Sequence, residues 1–122
     1  TNVYATGDIT GNDFVGGLVG GEVLGAPCTI IDSSVSGSVT GNDYVGGLVG
    51  WGWGYTISSS QNTGAVTCEG SSWCGGLVGR STGVALIGQN TWTNRTGANR
   101  PGQCLGSASP APAGSSDPNC SP

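Results

Sequence analysis

The segment TGNDFVGGLVGG at residues 10–21 returns as TGNDYVGGLVGW at 40–51 and, disguised, as TCEGSSWCGGLVGR at 67–80. A fixed period in this range marks stacked units, none of which can bury its apolar side alone. The three copies align residue by residue. Ile9, Val39 and Val66 share a position, as do Phe14, Tyr44 and Trp73, then Val15, Val45 and Cys74. Leu18, Leu48 and Leu77 also match, standing 30 and 29 positions apart, and Val19, Val49 and Val78 follow them. Further on, Ile30 and Ile57 match, with Leu86 as the third member.

Gly-Gly interrupts every copy, at a cost of about 1 kcal/mol per glycine in a helix interior. No segment keeps a 3.6-residue apolar period over ten residues, whereas short runs of Val, Thr and Ile between turn residues read as strands. The pattern predicts an all-β fold, a small β-solenoid (β-helix) of about three coils, with Val on Val and Leu on Leu about 4.8 Å apart. One unit reads as strand DIT, turn GND, strand FVGGLVG, a variable loop and strand TIIDSSVSG. Glycine suits the sharp corners of such a coil, and Asn12-Asp13 and Asn42-Asp43 suit its turns. The predicted solenoid covers residues 1–94. Residues 95–122, rich in Pro, Ser, Ala and Gly, read as an irregular extended tail. The first coil starts in mid-repeat, so a neighbouring subunit or further coils of a longer chain would complete it. With Thr1 first and no Met, the sequence is expected to be a processed chain or a fragment.

GGLVG three times, with VYATGDITG at the front, resembles the GLUG repeats of secreted and surface-anchored proteins, adhesin-like ones among them. The resemblance covers about residues 3–79, with a degenerate continuation to about 94. It implies an extracellular β-solenoid spacer or adhesive region without catalytic residues of its own. The chain departs from that pattern in its Cys pair, its WGWGY loop and its small number of copies.

Composition narrows the partners. Charged residues are 8% of the chain, there is no Lys or His, and the net charge is −4. Nucleic acid and anionic membranes both call for clustered basic residues, and none exist here. No run of 18 apolar residues provides a membrane span. Five Cys without His point to disulfides in an oxidising compartment, so the chain is expected to be secreted. In the third copy Cys68 replaces a turn glycine and Cys74 replaces a valine, across a turn two residues longer than in the other copies. A Cys68–Cys74 disulfide would staple that turn; a redox or metal pair is the alternative. Cys28, Cys104 and Cys120 allow Cys28–Cys104 or Cys104–Cys120, and the odd one is left free or bonds to another chain.

The tail segment SASPAPA resembles the Ser-Pro and Ala-Pro glycomodules of plant and algal wall glycoproteins. That resemblance implies hydroxylated, O-glycosylated prolines, with Pro110 and Pro112 as candidates; a plain linker is the other reading. Asn94-Arg95-Thr96 is an N-glycosylation sequon, and Asn119-Cys120-Ser121 a weaker one before Pro122.

In WGWGY, Trp51, Trp53 and Tyr55 share one side if the stretch is extended. They could stack on sugars, bury against another subunit, or fold over their own coil. Asp13 and Asp43 one rung apart raise calcium or a carboxylate dyad. Calcium needs six to eight oxygens, and glycoside chemistry needs a groove, so turn formation is the simpler role. The serines have no His or Lys to activate them. No enzyme activity and no cofactor are expected. The expected function is a structural extracellular subunit that self-associates end to end into a filament, with a glycan-binding adhesin module as the alternative.

Overall fold

A computed structural model describes residues 2–21, 29–69, 73–82, 85–87, 90–97, 105–109 and 120–121, with side chains at 2–21, 29–69, 73–80 and 90–92. Among these residues the structure is all β, with no helix. Every strand pair is parallel and joins residues 27–30 positions apart. Seven strands form a large sheet: Tyr4–Ala5, Ile9–Thr10, Ser34–Val35, Val39–Gly41, Gln61–Cys68, Asn90–Gly97 and Cys120–Ser121. Asp13–Gly16, Asp43–Gly46 and Cys74–Gly75 form an aspartate sheet. Val49–Trp53, Val78–Thr82 and Leu105–Ser109 form a valine sheet, and Thr29–Ile31, Thr56–Ser58 and Ala85–Ile87 an isoleucine sheet. Over residues 32–58 and again over 59–87 the chain visits these four sheets in the same order; over 2–31 its described strands fall in the large, aspartate and isoleucine sheets, and it meets the valine sheet at the isolated Val19–Val49 bridge.

The registers follow the repeat. Val39 pairs with Ile9 and Val66, Val45 with Val15 and Cys74, and Ile57 with Ile30 and Leu86. Val49 pairs with Val78 and bridges to Val19. The Leu18 N–H donates to the Leu48 carbonyl at 2.9 Å, and the Leu48 N–H to the Leu77 carbonyl at 2.8 Å. Leu48, Leu77, Val39, Val45, Val49, Ile57, Val66 and Val78 are fully buried in one apolar cluster.

Two expected strands are cut by corners. FVGGLVG is not continuous: Asp13–Gly16 ends at a bend over Gly17 and Leu18, and Asp43–Gly46 likewise. A Cβ on Gly46 would lie within 3 Å of the Val49 and Leu77 carbonyl oxygens and the Gly79 nitrogen. The next glycine serves the facing column: a Cβ on Gly17, Gly47 or Gly76 would run into Val35, Asn62 or Trp92. Those three are register partners, so the Gly-Gly pair makes the turn and then leaves room for the opposite wall. TIIDSSVSG is cut at Asp32, whose φ is 49°. Asn2 and Ser59, at equivalent places on the neighbouring passes, have φ of 55° and 49°. Asn, Asp and Ser tolerate this left-handed conformation because their short polar side chains bond locally.

After that corner, side chains continue the ladder. The Val3 N–H donates to Ser33 Oγ at 3.1 Å, Ser33 N–H to Ser60 Oγ at 3.2 Å, and Ser60 N–H to Asn90 Oδ1 at 3.0 Å. Each hydroxyl also donates back, Ser33 to the Ile31 carbonyl and Ser60 to the Ser58 carbonyl, both at 2.8 Å. Ser33, Ser60 and Asn90 are buried polar residues, and these bonds satisfy them. Asn62 stands in an otherwise apolar column between Val35 and Trp92. Its Nδ2 donates to the Gly76 carbonyl at 3.1 Å, and its Oδ1 accepts from the Gly64 N–H at 3.0 Å. Asn62→Val would match its neighbour Val35 in shape yet leave two buried backbone groups unpaired. A loss of about 2–4 kcal/mol is expected, read by chemical denaturation.

Within the tail, the described residues 95–97, 105–109 and 120–121 lie in strands, unlike the irregular segment expected from composition. Leu105–Ser109 pairs with Val78–Thr82, and Cys120–Ser121 pairs with Asn90 and Thr91. Residue 94 falls inside the strand Asn90–Gly97. Strand pairing depends on backbone groups, which Leu-Gly-Ser-Ala-Ser can supply despite its linker-like composition. Cys28, Cys104, Pro110 and Pro112 lie outside the described residues. Asn94 occupies the register position beside Ala65.

Candidate functional site: an aromatic ladder with one guanidinium

The aspartate sheet carries the aromatic member of each repeat next to its corner. Phe14 and Tyr44 adopt φ of 55° and 53°, which is costly for large side chains and aims successive rings along one column. Their rings stack with centroids 4.7 Å apart and an interplanar angle of 3°. Trp73 continues the column, 6.4 Å from Tyr44 at 18°.

A second column, from the valine sheet, stands beside the first. Trp51 lies 5.7 Å from Phe14 and 6.4 Å from Tyr44. Arg80 is the register partner of Trp51 on the next pass. Its guanidinium carbon lies 5.4 Å from the Trp51 ring, 5.5 Å from Trp73 and 5.9 Å from Tyr44. Three electron-rich faces thus surround one delocalised cation, a contact worth about 0.5–1 kcal/mol at a partly exposed site. Arg80→Gln is expected to lower stability by about 1 kcal/mol, and Tyr44→Leu combined with it to cost less than the two single changes summed. Denaturant midpoints of the four proteins check this.

The three aromatics of WGWGY do not share one side. Trp51 and Trp53 alternate outward along Val49–Trp53, and Trp53 is 43% exposed. Gly54 then takes a φ of 65° and turns the chain, so Tyr55 enters the core at 3% exposure. Trp51 packs against Phe14 of the preceding pass, Tyr44 of its own and Arg80 of the next, and its Nε1 is buried without an acceptor. The indole N–H is therefore not presented to solvent.

Other candidate positions fall apart from this cluster. Asp13 and Asp43 are register partners at the start of the aspartate sheet, where Asp13 Oδ2 accepts from Asn12 Nδ2 at 3.4 Å. Among the described residues no group of three His, Cys, Asp or Glu comes together. Cys68 and Cys74 are joined as a disulfide with Cα atoms 6.2 Å apart, and both are buried. Their register partners are Gly41 and Val45, so the bond spans the corner that the first two passes turn without a crosslink. Asp8 Oδ1 accepts from the Ser38 N–H at 2.8 Å. That backbone bond first, and the Ser38 hydroxyl second, hold its carboxyl below the usual aspartate range.

The sequence points to Trp51 and Trp53 but does not by itself join Trp51 to Phe14, Tyr44, Trp73 and Arg80. Phe14, Tyr44 and Trp73 were visible as one repeat position. That Arg80 matches Trp51 was also readable, since both follow GGLVG. The nearness of the two columns depends on the Gly-Gly corner between them. No family model matches this chain, and neither a curated protein nor a solved structure matches it.

Proposed function

We propose that the protein is a secreted, non-catalytic structural subunit: a β-solenoid whose coils continue from one molecule to the next, end to end, in a filament. One comparison carries this reading. Val35, Val39, Leu48 and Val49 are 0–1% exposed, whereas their first-pass partners Ala5, Ile9, Leu18 and Val19 are only partly buried. Among the described residues the second pass has neighbours on both sides and the first on one. The open side combines apolar side chains with the unpaired backbone of an edge strand, a surface that favours strand addition. The absence of a membrane-spanning helix among the described residues and the Cys68–Cys74 disulfide are compatible with secretion. Electron microscopy and light scattering of the purified chain across a concentration series test the proposal. Fibres with a constant axial repeat are expected; monodisperse particles of 11.9 kDa at all concentrations would contradict it.

The exposure of Phe14 and Trp53, 40% and 43%, favours a second reading in which these rings hold glycans. Phe14→Ala and Trp53→Ala should then abolish binding on a glycan array while leaving assembly intact. Binding that survives both changes removes this reading.

A further inference from the structure

Arg80 is the one basic group among the described side chains, against Asp8, Asp13, Asp32, Asp43 and Glu69. Its guanidinium faces the rings of Tyr44, Trp51 and Trp73. Among the described residues nothing accepts a hydrogen bond from that guanidinium, and it joins no ion pair. The neighbouring Trp51 Nε1 also lacks an acceptor. Donors this short of acceptors suit a group that only accepts, an oxyanion. Rings around the guanidinium restrict it, so a planar fork already in place loses little freedom on taking a carboxylate or sulfate through two parallel bonds. Trp53 stands beside this cation. It follows Trp51 by two residues on the outward side of the same strand and is 43% exposed. Arg80 is the register partner of Trp51, so Trp53 and Arg80 are diagonal neighbours, with backbone positions about 7–8 Å apart.

Resting on the glycan reading of Phe14 and Trp53 above, we propose that Arg80 and Trp53 form a binding site for an acidic polysaccharide, one sugar ring lying on the Trp53 indole with its carboxylate or sulfate on the Arg80 guanidinium. The diagonal spacing suits a pyranose ring and its acidic substituent. Charge makes the occupant specific. The described side chains are otherwise acidic, so a polyanion is not drawn to the surface as a whole and its attraction is confined to the one cation. A neutral sugar stacks on Trp53 and leaves the Arg80 donors unused. An acidic peptide satisfies Arg80, yet offers the exposed indole no flat ring of C–H groups to cover.

Isothermal titration calorimetry on the full chain tests this with probes of similar length: an oligogalacturonate, a sulfated galactan, a neutral galactan and polyglutamate. An acidic sugar is expected to bind about tenfold more tightly than the neutral one, the margin of a hydrogen bond to a charged group. Tighter binding of the galacturonate identifies the oxyanion as carboxylate, and of the sulfated galactan as sulfate; either order supports the site. Arg80→Gln is expected to remove the margin and leave neutral-sugar binding in place. Arg80→Lys should restore only part of it, because an ammonium is a point charge without the planar fork. Trp53→Ala should weaken acidic and neutral sugars alike, with circular dichroism reporting that each variant is folded. Equal binding of acidic and neutral sugars, unchanged by Arg80→Gln, would overturn this site and leave the glycan reading standing. No binding of any sugar would overturn both. Polyglutamate bound as tightly as the acidic sugars, and released by Arg80→Gln, would assign the cation to acidic protein segments and overturn the proposal.

Discussion

Replacing Gly46 with alanine is expected to unfold the protein. The added methyl would stand within 3 Å of two carbonyl oxygens and a backbone nitrogen, from Val49, Leu77 and Gly79. None of these atoms belongs to a flexible side chain that can move aside. They form part of the valine sheet and the corner entering it, so relief would require one pass to move away from the next. A cost of at least about 4 kcal/mol is expected, comparable to the whole stability of many small domains. Gly7→Ala is the matched control, because a Cβ there meets nothing within 4 Å. It should leave the denaturation midpoint almost unchanged. Circular dichroism of the two variants under identical conditions separates the outcomes. Equal stability would mean that the two walls do not approach each other at Gly46.

The second large effect lies in the leucine column. Leu48 and Leu77 are fully exposed to none of the solvent, at 0% each, while Leu18 is only partly buried. The same truncation to alanine should therefore cost different amounts at positions the sequence repeat makes equivalent. Leu48→Ala removes a side chain enclosed by passes on both sides and should cost about 3–5 kcal/mol. Leu18→Ala removes one that is enclosed on a single side and should cost about 1–2 kcal/mol. Both values are measured by equilibrium denaturation at a concentration where the chain is monomeric. In a filament the difference should shrink, because a neighbouring molecule would cover Leu18. The pair thus reports on the stack in the monomer and tests its proposed continuation from one molecule to the next.

Much of this arrangement was legible in the letters, and the reasons for the remainder are physical. Ile9, Val39 and Val66 could be placed in one column because parallel pairing puts like on like and all three are apolar. Cys68 and Cys74 could be paired because they flank an insertion in an otherwise matched turn. The corner at Ser33, Ser60 and Asn90 was harder to see. Its three members differ in type, and they share only the ability to accept from a backbone N–H one pass away. Asn62 was hidden for the opposite reason, since it stands among Val35 and Trp92 where the pattern called for an apolar side chain. Strict alternation in an extended stretch puts Tyr55 on the side of Trp51, and Gly54 breaks that alternation with a left-handed turn. Leu105–Ser109 joins a sheet through backbone pairing that its Ser- and Ala-rich composition does not advertise.

Equivalent positions on successive passes are directly hydrogen-bonded, and scalar coupling across those bonds measures this most directly. In a uniformly labelled monomer, the Leu18 amide nitrogen should couple to the Leu48 carbonyl carbon, and the Leu48 nitrogen to the Leu77 carbonyl carbon. Couplings from either nitrogen to a carbonyl that is not the matching leucine of the next repeat would contradict the stacked register and, with it, the open edge on which the proposed assembly rests.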